Sequence, residues 1–540
     1  MKKNLLFSAF FAIGAVSPLF AQESFDAAAV QKIRDEGMNR SKVMETAFTL
    51  TDVTGPRLSG SPGLRKAQEQ VAAQMKAMGL QNVKIEPWGE FGKGWQIDKS
   101  YTAMTAPYYD ALIAYPKAWS GSTKGAVKGE VVIVKADSLP DLEKYKGKLK
   151  GKFVIYDSQT TQAAGDIFQA DGSRNTDARL AEMAATQPVT PGAGPGGRPG
   201  AGRPGGRGGA FAAMAFRPKL AEFLASEGVG LIINMGRGTD GTLFTSNGNS
   251  RAKDAPKAGP EVEMSGEDYL RLLRLVKSGA KVEMEADIKT SFYTKDLQEY
   301  NVVGEIPGSD PTLGSELVML GAHFDSWHSG TGATDNAAGS AVMMEAMRII
   351  QATGLKPKRT IRIALWSGEE QGLLGSRGYV TNHFASTADM VLKPEHSKLS
   401  AYYNLDNGTG KIRGVYLQGN AAAGPIFRSW LAPFNDLGAT TVTISNTGGT
   451  DHQSYDAVGL PGFQFIQDGM DYNTRTHHSN QDTYDRLSAD DLKQAATIIA
   501  AFAYNTSQRT EKIPRKALPA ARPPQTPGGA GAAGTAPARN

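Results

Sequence analysis

Between Gly321 and Gly375 the chain reads GAHFDSWHSGTGATDNAAGSAVMMEAMRIIQATGLKPKRTIRIALWSGEEQGLLG. His323, Asp325, Asp335, Glu369 and Glu370 stand there after one apolar run, SELVML, and around a second, TIRIALW. Buried strands that end in carboxylates and histidine are how an α/β sheet presents a site at the carboxyl ends of its strands. These residue types bind divalent cations and move protons. All seven histidines fall between His323 and His478. An even scatter along the chain would not give that clustering.

Each part has an ordinary explanation and a chemical one. His323 and Asp325 are two apart, which on a strand sets them on one face. The carboxylate can then accept one imidazole N–H while the other nitrogen binds a metal; taken alone, such a pair is more often a polar strand end. Asp335 lies in TGATDNAAGSA just before a helical pattern. A helix cap is the common role there, but the dense glycines argue for close backbone approach, and a carboxylate so held can bridge two cations. Glu369 and Glu370 end an apolar strand and precede a glycine-rich turn, so one can bind metal while the other acts as base. Asp406 ends the strand AYYNLD, and His478 sits in THHSNQDTYDRL, four residues ahead of Asp482. His323, Asp335, Glu369, Glu370, Asp406 and His478 together suffice to hold two zinc ions ~3.5–4 Å apart with one glutamate left free.

The elements that must position this set follow from the rest of the chain. At 540 residues, two or three domains are expected. Lys2 and Lys3, the apolar stretch Leu5 to Val16 and Ala21 read as a secretory leader over residues 1–21. Its apolar run is shorter than the ~20 residues of a membrane span. Export to the periplasm or the exterior is therefore expected, with no stable membrane anchor after cleavage. No cysteine is present, so a zinc site must rely on histidine and carboxylate, which suits catalysis better than a structural role. The net charge of +5 is small for this length and does not call for a nucleic-acid partner.

Phe25 to Leu50 has helical spacing, TGPRLSGSPG (54–63) is a loop, and LRKAQEQVAAQMKAM (64–78) is a helix stopped by Gly79. Short β-rich pieces with Gly-Lys turns follow, GAVKGEVVIVKA and YKGKLKGKFVIY, and later GVGLIIN. The reading is an α/β catalytic domain over 22–115 and 291–510, interrupted by a β-rich module over 116–290. PVTPGAGPGGRPGAGRPGGRGG (188–209) is a flexible insertion in that module, without aromatic residues to stack a nucleobase. Residues 511–540, rich in Pro, Ala, Gly and Arg, are expected to be a disordered tail.

The order HFD, TDN, GEE, LD, HHSNQDT resembles the co-catalytic zinc aminopeptidase family, which includes secreted bacterial aminopeptidases and the plasma glutamate carboxypeptidase type. The resemblance covers about Tyr300 to Ala501, with weaker similarity in GPRLSGSPGLRKAQEQVAAQM, and the module resembles a protease-associated domain through KGKLKGKFVIYD and ASEGVGLIIN. It implies an α/β zinc-exopeptidase core with a mixed central sheet flanked by helices. It also implies that His323 and Asp406 hold one Zn2+, Glu370 and His478 the second, and that Asp335 bridges them. Glu369 would be the general base and Asp325 would orient His323; spacing to QDT favours His478 over His477. Asp451 and His452 in GGTDHQSYD would lie behind the site or on its substrate side. The implied reaction is peptide-bond hydrolysis. A water shared by the two ions gives its proton to Glu369 and attacks the carbonyl, and Glu369 returns the proton to the leaving amine.

An aminopeptidase or dipeptidase is the leading expectation, with a peptide as substrate. A carboxypeptidase acting at a free carboxyl end, a single-zinc cyclase and a non-catalytic binding protein on the same fold are the alternatives. Zinc content separates the cyclase from the rest. The binding protein is disfavoured because no ligand or base position has been lost.

Overall fold

The computed structural model describes residues 23–136, 138–156, 170–187, 216 and 219–522. The leader and the glycine-rich insertion lie outside the described residues. Among those described, strands assemble into two eight-stranded sheets and one two-stranded ribbon.

The first sheet is mixed. Its centre is a parallel block in the order Thr360–Trp366, Leu317–His323, Leu399–Asn404, Gly462–Gln467. Antiparallel strands extend it on one side through Gln298–Ile306 to the edge strand Gln81–Glu90. On the other side Ile412–Tyr416 runs antiparallel to Gly462–Gln467 and parallel to Thr441–Thr443. Four parallel strands thus end on the same rim, and the chain leaves them toward Glu369, Asp325, Asp406 and Asp468. Full burial on both faces explains why these strands read as nearly continuous apolar runs.

Alternation divides those runs between two helical layers. Val318, Leu320, Ile361, Ile363 and Tyr403 pack against helices that include Ala338–Ala352 and Ala489–Gln508. Met319, Ala364, Trp366 and Tyr402 face the opposite layer, with Tyr379 of Leu374–His383 and Tyr455 of His452–Asp456. Tyr402 and Tyr455 stack at 4.0 Å between ring centres. A sheet covered on both faces by helices is the α/β architecture that the sequence pattern implied.

The second sheet runs Asp110–Ala111, Thr102–Ala106, Glu283–Ala286, Val127–Val134, Phe153–Tyr156, Leu231–Met235, Glu261–Met264, Ala114–Pro116. It corrects the expected boundary at residue 116. Thr102–Ala106 pairs with Glu283–Ala286, and Ala114–Pro116 with Glu261–Met264, so residues 102–116 belong to this sheet. Their side chains fill its core, Met104 and Ala114 beside Met264 and Met284. The ribbon of Gly94–Lys99 and Lys289–Tyr293 carries the chain into and out of this unit side by side.

The tail also departs from expectation. Disorder was expected from residue 511, yet residues 511–522 lie against the first sheet. Ile513 is buried in its core, Arg515 donates to the carbonyls of His396 and Leu399, and Lys516 pairs with Asp456. One apolar anchor and two long cations supply what the Pro/Ala/Gly composition hid.

Away from the strand rim, His383 ties the edge strand to the outer helices. Its Nε2 meets Glu86 and its Nδ1 lies 3.2 Å from Glu395 Oε2. Burial disfavours the imidazolium, but hydrogen bonds to Glu395 and Glu86 outweigh it and lift the pKa to about 9. A folded value above the unfolded ~6.5 means that the stabilisation is complete below pH ~6.5 and is lost as pH rises through about 9. The ring keeps some contact with water, so about 1–2 kcal/mol is at stake. Urea unfolding of wild type and His383→Ala should show a stability gap at pH 6 that closes by pH 9.5; a gap independent of pH would show that the pair carries no charge-dependent stability.

Candidate metal centre

His323 is the last residue of its strand and 1 % exposed. Its Nδ1 lies 3.1 Å from the main-chain oxygen of Asp325 and 3.4 Å from that residue's Oδ1. The strand stops before Asp325, so the carbonyl shares the orienting role expected of the carboxylate alone. The carboxylate has further contacts: the main-chain N–H groups of Glu369 and Glu370 each approach it at 3.4 Å, and Ser59 Oγ donates to it at 2.9 Å. Ser59 Oγ in turn accepts from Gly368 N at 2.9 Å. Asp325 and Ser59 therefore fix the turn that carries both glutamates to the end of the neighbouring strand.

With Nδ1 so engaged, His323 Nε2 faces inward, 3.3 Å from Asp335 Oδ1 and 3.4 Å from Asp406 Oδ1. On the other side, His478 Nε2 lies 3.2 Å from Asp335 Oδ2 and 2.8 Å from Glu370 Oε2. The two oxygens of Asp335 thus face different histidines. Glu369 Oε2 is 3.9 Å from His323 Nε2, farther than the two aspartates. His477 Nε2 stands 3.9 Å from Asp335 Oδ2, and its ring stacks on Tyr472 at 4.7 Å. Ligand-type atoms of His323, Asp335 and Glu370 lie within 4.8 Å of one another, as do those of Asp335, His477 and His478.

Do these residues fit a metal? His323 Nε2, Asp335 Oδ2, both Glu370 oxygens and Asp406 Oδ1 are buried without a hydrogen-bond partner. Leaving such atoms unsatisfied costs several kcal/mol unless a cation meets them. Two ligands ~2.0–2.1 Å from a tetrahedral zinc lie ~3.3 Å apart, close to the separations around Asp335. The set fits two cations, one on either side of that carboxylate.

Electrostatics agree. Burial opposes charge on His323, yet Asp406 and Glu369 pull its pKa well above the ordinary value. Burial pushes the Glu369 carboxyl well up, with Asp406 and Asp451 adding to it and His323 opposing. Glu370 is likewise raised by burial and by Asp335. Burial opposes the Asp335 charge, yet His323 and His478 keep its pKa low. Too many carboxylates meet too little positive charge, the condition that bound divalent cations relieve.

Supporting residues that sequence reasoning missed sit below this cluster. Arg57, fully buried, donates to the carbonyls of Phe324 (2.6 Å), Thr331 (2.7 Å) and Gly332 (2.8 Å). Burial lowers its pKa to about 10, opposed by Asp482, Asp325 and Asp335, so it is a cation at neutral pH. Asp482 accepts from Thr334 N (2.7 Å) and Asp335 N (3.0 Å), fixing the bridging loop. Tyr472 is a third: burial, then Asp335, Asp406 and Glu370, push its phenol well up and keep it a neutral donor. The only signals were the compact GPRLSGS loop and the spacing of Asp482 from His478. Asp451 and His452 are both fully buried; His452 Nε2 approaches Gln418 at 2.9 Å and the Thr447 carbonyl at 3.1 Å.

His478 comes from the longest excursion and is held from the second sheet. Its backbone is left-handed, φ 62°, a region that side chains other than glycine rarely occupy. Thr245 N donates to its carbonyl at 2.8 Å, and Leu243 exchanges hydrogen bonds with Asn480. Arg475, three residues earlier, pairs with Asp171 (2.8 Å) and Asp240 (2.7 Å).

Residues 301–503 match the model of Peptidase family M28. Over 481 residues the chain is 26 % identical to mouse carboxypeptidase Q, covering 89 % of this chain and 88 % of that protein. It is 25 % identical to an aminopeptidase of Bacillus subtilis over 43 % of this chain and 49 % of the relative. Among solved structures, a peptidase M28 precursor from Shewanella amazonensis superposes with a TM-score of 0.62 at 24 % identity, covering 91 % of this chain and 98 % of that one. A zinc aminopeptidase from Bacillus subtilis gives 0.51 at 18 % identity, with 86 % and 93 % covered. The chain carries a peptidase family M28 region over residues 301–503 and is a metallo-exopeptidase similar to zinc aminopeptidases.

Proposed function

We propose that this is an exported exopeptidase that cleaves peptide bonds at the end of short peptides, an aminopeptidase or dipeptidase, with Glu369 as general base. The observation that carries the reading is the sharing of Asp335: its two oxygens face His323 and His478 separately, at 3.3 and 3.2 Å. In this reading His323 and Asp406 would hold one zinc, Glu370 and His478 the other, and Asp335 would serve both. Zinc held there supplies Lewis acidity toward a peptide carbonyl and toward water.

The remaining roles fall to the chain itself. Glu369 has its main chain clamped by Asp325, and its carboxylate lies farther from His323 than the two aspartates, which leaves it free to move a proton. It takes the proton of the attacking water on a carboxylate oxygen and passes it to the nitrogen of the departing amine. Asp325 positions His323 and the Glu369–Glu370 turn. Tyr472, stacked on His477, keeps a neutral phenol in the same carboxylate-rich surroundings. The second sheet is read as a protease-associated type of module interrupting the catalytic domain, held against the His478 loop. Among the described residues no helix is long and apolar enough to cross a membrane; export rests on the leader pattern of residues 1–21.

Two variants test these roles. Glu369→Gln should abolish hydrolysis of aminoacyl and dipeptide substrates, a fall of ~10²–10⁴ in kcat, with zinc content by mass spectrometry close to wild type; full activity would remove Glu369 from the mechanism. Asp325→Ala should weaken zinc binding ~10–100-fold, measured by competition with a chelating dye. Unchanged affinity would mean that the Asp325 carboxylate does not support His323.

A further inference from the structure

Arg237 follows the strand Leu231–Met235 of the second sheet and is exposed. Its guanidinium carbon sits 4.8 Å from the centre of the Phe244 ring. Stacking on an aromatic face fixes the guanidinium plane and leaves its N–H edge for a carboxylate fork. Phe244 bridges to Ser479, the residue after His478, and the flanking Thr245 bonds the His478 carbonyl. The segment carrying Arg237 is therefore fastened directly to the loop that brings His478 to the metal centre.

What distinguishes Arg237 is its lack of an acidic partner among the described residues. Neighbouring arginines at this junction are satisfied: Arg475 by Asp171 and Asp240, Arg174 by Asp468 and Asp491, and Arg413 by Asp468. A guanidinium stacked on Phe244, in a segment fastened to the His478 loop and without an acidic partner among the described residues, has the form of a carboxylate receptor.

We propose that Arg237 is a substrate-binding residue that recognises a carboxylate of the peptide, in the first place its free C-terminal carboxylate, and so directs the enzyme to short peptides with a free carboxyl end. This deepens the exopeptidase reading and rests on it. The second sheet then contributes specificity as well as support: the catalytic layer supplies the zinc ligands and base, and the module supplies the cation that measures the distance to the end of the chain. Because the loop is pinned to His478, reading the carboxylate and presenting the scissile bond use the same rigid segment.

The test uses the full-length zinc enzyme, wild type, Arg237→Ala and Arg237→Lys, with zinc content and circular dichroism confirming fold and metal loading. Substrates are Ala-Ala, Ala-Ala-NH2, Ala-Glu-NH2 and Ala-Gln-NH2. Wild type should prefer Ala-Ala to its amide. In Arg237→Ala the ratio of kcat/KM for Ala-Ala over Ala-Ala-NH2 should fall about 10–100-fold, mostly through KM, with Arg237→Lys intermediate. A fall confined to the Ala-Glu-NH2 over Ala-Gln-NH2 ratio would keep Arg237 as a carboxylate receptor and transfer its ligand to an acidic side chain. Ratios unchanged in an active Arg237→Ala enzyme overturn the assignment while leaving the exopeptidase intact. A wild type that cleaves none of the four overturns the exopeptidase reading and this inference with it.

Discussion

Convergence of buried carboxylates on shared space is the constraint to which this fold answers. Asp335, Glu369, Glu370 and Asp406 meet at the rim of the first sheet, all nearly removed from water, with several oxygens that make no hydrogen bond within the protein. Such an arrangement is unstable by itself, because like charges in a low-dielectric site repel and lone pairs go unmet. The fold answers in two ways. Arg57 supplies one fixed cation from beneath, bonded to main-chain oxygens so that it does not quench the site from above. The rest of the balance is left to bound zinc, which makes metal binding part of the stability of the rim as well as its chemistry.

The contributing residues come from distant parts of the chain, and the parallel block brings them together. Strands ending at His323, Trp366, Asn404 and Gln467 share one direction, so the segments after them emerge side by side. Around this rim, hydrogen bonds fix loops more than helices do: Ser59 and Asp325 for the glutamate turn, Asp482 for the Asp335 loop, Thr245 for His478. The second sheet belongs to the same scheme. Asp468, fully buried at the end of its strand, is met by Arg413 of the first sheet and by Arg174 from the segment following Phe153–Tyr156. Ion pairs of this kind join the two parts alongside an apolar cluster in which Trp327 packs with Trp95, Ala118 and Trp119.

Much of this was legible in the sequence, because buried parallel strands advertise themselves as apolar runs and acids at their ends are conspicuous. The six residues from His323 to His478 do converge, and their spacing along the chain was enough to suggest it. What sequence could not give was the geometry of satisfaction. Arg57 looked like an ordinary loop cation, since nothing local says that its partners are the carbonyls of residues 324 to 332. Asp482 stands out in the sequence only by its distance from His478, yet it holds the Asp335 loop. The module boundary was set at 116 because the β-rich composition begins near there, but pairing with Glu283–Ala286 and Glu261–Met264 draws in residues 102–116. Long-range register leaves no mark on local composition. The tail hides its anchor for a similar reason: Ile513 finds a core that the sequence around it does not mention.

In the proposed reading, Asp335 would stand between two zinc ions held by ligands from distant parts of the catalytic half. Anomalous diffraction from crystals of the purified enzyme, recorded on either side of the zinc absorption edge, tests it most directly. Two peaks ~3.5–4 Å apart are expected, one within ligand distance of His323 and Asp406, the other of Glu370 and His478, with an Asp335 oxygen on each. A single peak, or a second peak bound by His477 in place of His478, would contradict it.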